Sequence, residues 1–194
     1  SVEMLRMVIR ELPMSHLKFL KTAIKDYKVG AITLSSRYVI KKVIGEIKPH
    51  YKYIVEYGAG NGIMTRKILE ALPKDGRVVA IELNKEFIKE LHAIKDPRLT
   101  VIHGDVRYIV RNLHTIALPR IDMVISGIPF SFIKPEVRKE IINRTCESLA
   151  PHGTLLLYQY TLMLIPTLKK YVRSVKVHFE PRNFPPYFIM VGQK

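Results

Sequence analysis

The sequence predicts a doubly wound, Rossmann-like α/β domain. Its sheet has seven mostly parallel strands with an antiparallel edge, is flanked by helices, and follows an N-terminal amphipathic helix. Three observations predict it. First, Ile54-Val55-Glu56-Tyr57 reads as a short apolar strand. The glycine-spaced turn Gly58-Ala59-Gly60-Asn61-Gly62 follows and opens a helix near Ile63. Only glycine lets backbone turn this sharply while standing close to a ligand, and the new helix's first N–H groups face the same crevice. Second, Glu82 lies twenty residues past Gly62, at the end of the apolar run Arg77–Ile81 and just before Leu83. A carboxylate there suits a ribose diol. Third, short apolar strands alternate with amphipathic helices along the chain. Together these mark a nucleoside-cofactor crevice.

Residues 1–29 are expected to form a separate segment, with residues 30–194 as the cofactor-binding domain. Val2, Leu5, Val8, Ile9 and Leu12 recur at helical spacing until Pro13 interrupts them. A second helical run starts at Met14 under a Ser15 cap. Leu17, Phe19, Leu20, Ala23, Ile24 and Tyr27 share one face, and Lys18, Lys21, Lys25 and Lys28 gather on its flank. Such a helix either lies in a membrane interface or packs on its own domain with a solvated lysine edge.

Val29–Ser36 is a turn feeding a helix from Arg37 to Ile47. Ser35 or Ser36 caps that helix, or the pair offers hydroxyls to a substrate. Helices follow at 63–72 and 84–94, and strands at 77–81 and 99–102. The turn after the third strand carries Asp105 and Val106. Asp105 can accept from an exocyclic amine, and the backbone near Val106 can reach a ring nitrogen. Alternatively, Asp105 simply caps the next helix. The fourth strand, 121–125, ends in Ser126-Gly127-Ile128-Pro129-Phe130. Helix 134–150, the strand from Thr154 to Tyr160, and the strands 171–179 and 187–191 complete the sheet. The last two form the antiparallel edge pair.

Composition sets further bounds. The 194 residues are 47% hydrophobic, enough for a sizeable core. The net charge of +15 calls for an anionic partner, either nucleic acid or an acidic lipid surface. Cys146 is the single cysteine, so no intrachain disulfide forms. The seven histidines are scattered, and no metal site is expected. Residues 148–168 lack Lys, Arg, Asp and Glu, but Pro151, Gly153, Gln159 and Pro166 favour a buried strand over a membrane span. The N-terminus lacks the unbroken apolar core of a signal peptide, so a cytosolic chain is expected.

The glycine spacing narrows the cofactor. A dinucleotide turn reads Gly-x-Gly-x-x-Gly, whereas here Gly58-x-Gly60-x-Gly62 follows Glu56 by two residues. A pyrophosphate avoids a carboxylate at that place, while a sulfonium cofactor's cationic amino group welcomes one. The stretch resembles motif I of the class I methyltransferases, which bind S-adenosylmethionine. In that fold the end of the fourth strand abuts the transferable methyl. Enzymes that modify base amines place Asn or Asp there, but Ser126 lacks the amide's paired donor and acceptor.

The chain as a whole resembles the bacterial phospholipid N-methyltransferases related to ribosomal RNA adenine dimethylases. The resemblance covers nearly the whole chain. It rests on Gly30–Ser36, Val55–Gly62, Ile125–Phe130, Tyr158-Gln159-Tyr160-Thr161 and Asn183–Tyr187. Leu34 stands where that family has proline, and Tyr57 where it has leucine. The resemblance implies a peripheral enzyme on the cytoplasmic face of the cell membrane. It would methylate phosphatidylethanolamine stepwise and use the N-terminal helix to hold anionic lipid. Phe130, Tyr158, Tyr160 and Tyr187 are candidates for a cation–π pocket around the amine, or are core packing with satisfied hydroxyls. Ser35, Ser36 and Arg37 are candidates for the substrate. Arg37 and Lys28 would hold the lipid phosphate, or are solvated. No general base stands out, although His16 sits near the membrane helix. The rival readings are an RNA or DNA adenine methyltransferase, a soluble small-amine methyltransferase, and a membrane-surface protein that binds the cofactor without turnover.

Overall fold

The computed structural model describes residues 36–116, 118–183 and 185–194. The expectations for residues 1–35 lie outside them: the helix 14–28, the boundary after residue 29, and Ser35, Lys28 and His16. The strands are β1 Tyr53–Tyr57, β2 Arg77–Glu82, β3 Leu99–His103, β4 Met123–Ser126, β5 Thr154–Gln159, β6 Ser174–Glu180 and β7 Tyr187–Gln193. They form one sheet in the order β3-β2-β1-β4-β5-β7-β6, in which only β7 runs antiparallel to its neighbours. The order reverses between β1 and β4, which opens a crevice at the carboxyl ends of those two strands.

The central strands are apolar on both faces because both faces are covered. Alternating residues of β1 go to opposite cores. Ile54 packs with Val39, Val43, Met64, Ile68, Leu91, Ile125 and Leu156, while Val55 packs with Val79, Val124, Ile141, Ile142 and Leu155. The helices supplying these layers are α1 Arg37–Ile44, α2 Ile63–Ala71, α3 Lys85–His92 and α5 Pro135–Ser148. The short helices α4 Val106–Ile109 and α6 Ile165–Leu168 lie in the connections. Buried Asp122 pins the start of the sheet. Its Oδ2 accepts from the N–H groups of Lys52 and Tyr53 at 2.8 and 3.0 Å, and its Oδ1 accepts from Arg120 Nε at 2.6 Å.

The element edges differ from expectation in small, explicable ways. β6 begins at Ser174 rather than Tyr171, because the N–H groups of Tyr171 and Val172 donate to Leu168 C=O in the turn after α6. α1 stops at Ile44, where Gly45 caps it. Two 3-10 turns, Val110–Thr115 and Phe130–Phe132, carry no helical periodicity that a sequence could show. Among the described residues no helix is long and apolar enough to cross a membrane. Cys146 lies buried on α5.

Candidate active site

The crevice is floored by the turn between β1 and α2. Gly58, Gly60 and Gly62 have φ of 72°, 55° and 81°, the left-handed region that side chains resist. A Cβ on Gly58 would stand 2.8 Å from Ile128 Cγ2, so the turn after β4 lies directly against the glycine turn. A Cβ on Gly60 would meet nothing within 4 Å, so space opens above this glycine.

Glu56 has no exposed surface. Thr65 Oγ1 donates to its Oε2 at 2.6 Å, and its Oε1 is buried with no partner. Burial pushes this carboxyl up to about 8, the Thr65 hydrogen bond pulls it back, and the charge of Glu82 adds to the rise. An unmatched buried carboxylate oxygen calls for a cationic donor.

Glu82 plays a role the sequence did not reveal. Its Oε2 accepts from Gly60 N–H, and its Oε1 accepts from Leu83 N–H and Asn84 N–H, each at 2.8 Å. The carboxylate therefore holds the glycine turn against the end of β2, and its remaining lone pairs are the part a ribose diol can use. Leu83 is partly exposed beside it. Asp105 caps α4. Its Oδ1 accepts from Arg107 N–H at 2.9 Å, and its Oδ2 pairs with the Arg107 guanidinium. Burial raises its pKa, but the hydrogen bonds from Arg107 outweigh that and leave it below the usual carboxylate range. Val106 is buried at the start of α4.

Gly127 N–H donates to Tyr57 C=O at 3.0 Å, carrying the pairing of β1 with β4 one step past the strand. A Cβ on Gly127 would collide with the Tyr158 hydroxyl oxygen, so the phenol occupies the space a side chain would take. Register places Glu56 opposite Ile125, and Ile125 opposite Leu156. Tyr158, two residues on, therefore shares the sheet face of Glu56. Tyr187 joins it, with ring centroids 6.3 Å apart, and both rings are 8% exposed. Tyr160 OH and Ser131 Oγ are hydrogen-bonded at 2.5 Å, which fastens the loop after β4 to the end of β5.

Two candidates fall elsewhere. Phe130 does not join the tyrosines. It is fully buried in the opposite core with Tyr57, Ile141 and Ile142, because the 3-10 turn after Pro129 directs it inward. As a lining for an amine pocket, it is corrected to core packing. Ser126 pairs with Tyr57 and Leu157 on that same opposite face. It is buried, and its hydroxyl has no partner. Ser36 is a cap. Its hydroxyl accepts from Val39 N–H, while its own N–H donates to Asn183 Oδ1 at 2.9 Å. Arg37 is exposed, and its Nη2 donates to Tyr38 OH at 2.8 Å. Among the described residues no group of acidic, histidine or cysteine side chains is arranged to hold a metal.

Sequence reasoning missed the Thr65–Glu56 bond, the packing of Tyr158 over Gly127, and the tie from Asn183 to Ser36. Each joins residues of different elements, nine to 147 positions apart, and none leaves a local pattern.

Comparison with known proteins agrees with this geometry. A family model described as a methyltransferase domain matches residues 54–153. An ornithine lipid N-methyltransferase of Singulisphaera acidiphila is 26% identical over 162 residues, covering 81% of this chain and 84% of that protein. A ribosomal RNA small subunit methyltransferase of Arabidopsis thaliana is 35% identical over 97 residues, covering 47% of this chain and 25% of that protein. Among solved structures, a precorrin-6y C5,15-methyltransferase from Geobacter metallireducens GS-15 aligns with TM-score 0.67 at 17% identity, covering 84% of this chain and 91% of that one. The Burkholderia thailandensis 1,6-didemethyltoxoflavin-N1-methyltransferase, with S-adenosylhomocysteine bound, aligns with TM-score 0.67 at 15% identity, covering 94% and 90%. At these identities the structural likeness shows the fold.

Proposed function

The chain belongs to the methyltransferase domain family, and on that premise we propose that it transfers methyl groups to the primary amine of a phospholipid such as phosphatidylethanolamine, working at a membrane surface. It is an S-adenosylmethionine-dependent methyltransferase, and its residues fit that cofactor. Buried, unpartnered Glu56 Oε1 matches a cationic amino group, and Gly60, with nothing within 4 Å of where a side chain would stand, leaves open backbone for a nucleoside. Glu82 and Leu83 would hold the ribose, and Asp105 and Val106 the adenine. When bound, the cofactor supplies a methyl group on a sulfonium, which an amine lone pair can take.

The protein's own contribution is position and environment. Holding the two reactants together can supply up to ~7–11 kcal/mol of barrier reduction in favourable systems. Tyr158, near the carboxyl end of β5, and Tyr187, at the start of antiparallel β7 and so at the same end of the sheet, lie on the face of Glu56 and offer ring faces to the cationic methylated product. Each such contact contributes ~0.5–2 kcal/mol. The amine must arrive without its proton, because an ammonium has no lone pair. A partly desolvated aromatic pocket favours that neutral form.

The single observation that carries the lipid reading is the ornithine lipid N-methyltransferase, which aligns along four-fifths of this chain. The net charge of +15 and the lysine-edged segment 14–28 support an acidic surface as partner. On this reading the chain sits on the cytoplasmic face of the membrane. The ribosomal RNA small subunit methyltransferase of Arabidopsis thaliana aligns over less than half of the chain, and Ser126 lacks the amide that reads a base edge. The test is incubation with labelled cofactor, vesicles of phosphatidylethanolamine with phosphatidylglycerol, and ribosomal RNA in one tube. Label in mono- and dimethylated lipid is expected. Label in RNA alone, or in no lipid, would overturn the reading.

A further inference from the structure

Glu180, the last residue of β6, is a carboxylate with no exposed surface. A buried charge is costly unless cations and donors surround it. Arg182 Nε and Nη2 donate to its two oxygens at 2.7 and 2.8 Å, Arg182 N–H donates at 3.0 Å, and Lys42 Nζ stands 3.1 Å away. The hydrogen bonds from Arg182, acting against burial and helped by Lys42, hold Glu180 down at about 2.

The fork that grips Glu180 also lies over an aromatic ring. The Arg182 guanidinium is 3.9 Å from the Tyr38 centroid, and that of Arg37 is 4.9 Å from the same centroid. Two arginines thus converge on one ring, while the nearby carboxylate is already shared by Arg182 and Lys42. Among the described residues Arg37 has no carboxylate partner, and the Arg182 side chain is 57% exposed with its Nη1 edge uncommitted. Arg37, Arg182 and Lys42 gathered around one carboxylate leave net positive charge here, which favours an anion.

The cluster stands beside the aromatic pair of the candidate site. Asn183, next to Arg182, accepts from Ser36 N–H, next to Arg37. Glu180 pairs across the sheet edge with Tyr187, whose ring adjoins Tyr158.

We propose that Arg37 and Arg182, braced by Tyr38 and Glu180, form an oxyanion subsite for the anionic group next to the substrate's amine. That group is the phosphodiester or the carboxylate of a zwitterionic headgroup. The proposal rests on the reading of the substrate as a lipid amine. Arg37 and Arg182 set affinity for the headgroup, and Glu180 is a positioning residue that aims Arg182.

The test is calorimetric titration of the full chain, saturated with S-adenosylhomocysteine. The probes are glycerophosphoethanolamine, ornithine and inorganic phosphate. The wild type is expected to bind glycerophosphoethanolamine or ornithine, and the stronger of the two names the oxyanion. Binding of inorganic phosphate alone, with the same arginine dependence, would assign the subsite to phosphate. R37Q and R182Q should each weaken binding at least tenfold while leaving S-adenosylhomocysteine affinity within twofold. R182K, which keeps the charge but loses the fork, should fall between. If R182Q fails to fold, exposed Arg37 carries the test. No measurable binding by the wild type, or equal binding by wild type and R37Q, overturns the subsite. Failure of the lipid reading has a separate signature: arginine-dependent binding of the probes with no methyl transfer to phosphatidylethanolamine vesicles.

Discussion

Glu56→Gln separates the two things this carboxyl does. Before cofactor binds, its pKa of about 8 means that near pH 7 it is mostly protonated. A cationic amino group needs it ionised, so binding must expel a proton. Cofactor affinity should therefore rise about tenfold between pH 6 and pH 7, one factor of ten per proton and pH unit. In E56Q that dependence should vanish, and affinity at pH 7 should fall at least a hundredfold. This corresponds to about 3 kcal/mol, the scale of a charge-assisted bond to a buried group. Stability should move the other way. The folded carboxyl has a raised pKa, whereas the unfolded one ionises near 4.5. The cost of keeping it buried therefore grows as pH rises from about 4.5 and levels off above about 8. At pH 7 this amounts to ~3 kcal/mol, from 2.5 units at 1.36 kcal/mol each. Unbound E56Q should melt roughly 6–12 °C above unbound wild type at pH 7, with little difference at pH 4.5. Titration calorimetry in buffers of different ionisation enthalpy reads the proton, and thermal melts read the stability. A flat pH profile in the wild type, or an E56Q protein that binds as tightly, would refute the assignment of Glu56 to the amino group.

The remaining predictions concern the glycines and the cysteine. Gly60→Ala should cost ~1–2 kcal/mol in urea unfolding, from its left-handed φ of 55°, yet weaken S-adenosylmethionine at least tenfold, because its new methyl enters open crevice. Gly62→Ala should cost more stability, since its Cβ would stand 2.8 Å from Ile94 Cδ1. Gly127→Ala should lower kcat roughly ten- to a hundredfold while cofactor affinity stays within twofold, because the new methyl displaces Tyr158. Steady-state kinetics beside calorimetry would show it. Cys146, buried and with its thiol pushed up to about 11, should resist iodoacetamide at pH 8 until the protein is unfolded.

Much of the fold is legible because its signals are local. The apolar runs at Ile54–Tyr57 and Val78–Ile81 announce buried parallel strands, and the three glycines announce a turn that only left-handed backbone can make. Glu56 is legible as a partner for a cation because its distance from Gly58 fixes it at the strand's end. Its missing partner on Oε1 is not legible, since that depends on Thr65 reaching over from α2. Phe130 shows the limit most clearly. One residue after a proline, its direction is set by a 3-10 turn that leaves no periodic trace, and the turn sends it into the core. Asp105 carried two open roles, and the structure shows the cap. The Arg37–Tyr38–Arg182–Glu180 cluster joins residues about 140 positions apart, brought together only when β6 and α1 meet at the sheet edge.

The most direct measurement of the central claim is carbon-13 NMR of vesicles containing phosphatidylethanolamine, incubated with the full chain and S-adenosylmethionine labelled at the transferable methyl. The sulfonium methyl signal should decay while N-methyl signals of the lipid headgroup grow in step, for the wild type but not for E56Q. A sulfonium signal that persists, or a methyl that appears on any atom other than the lipid nitrogen, would contradict it.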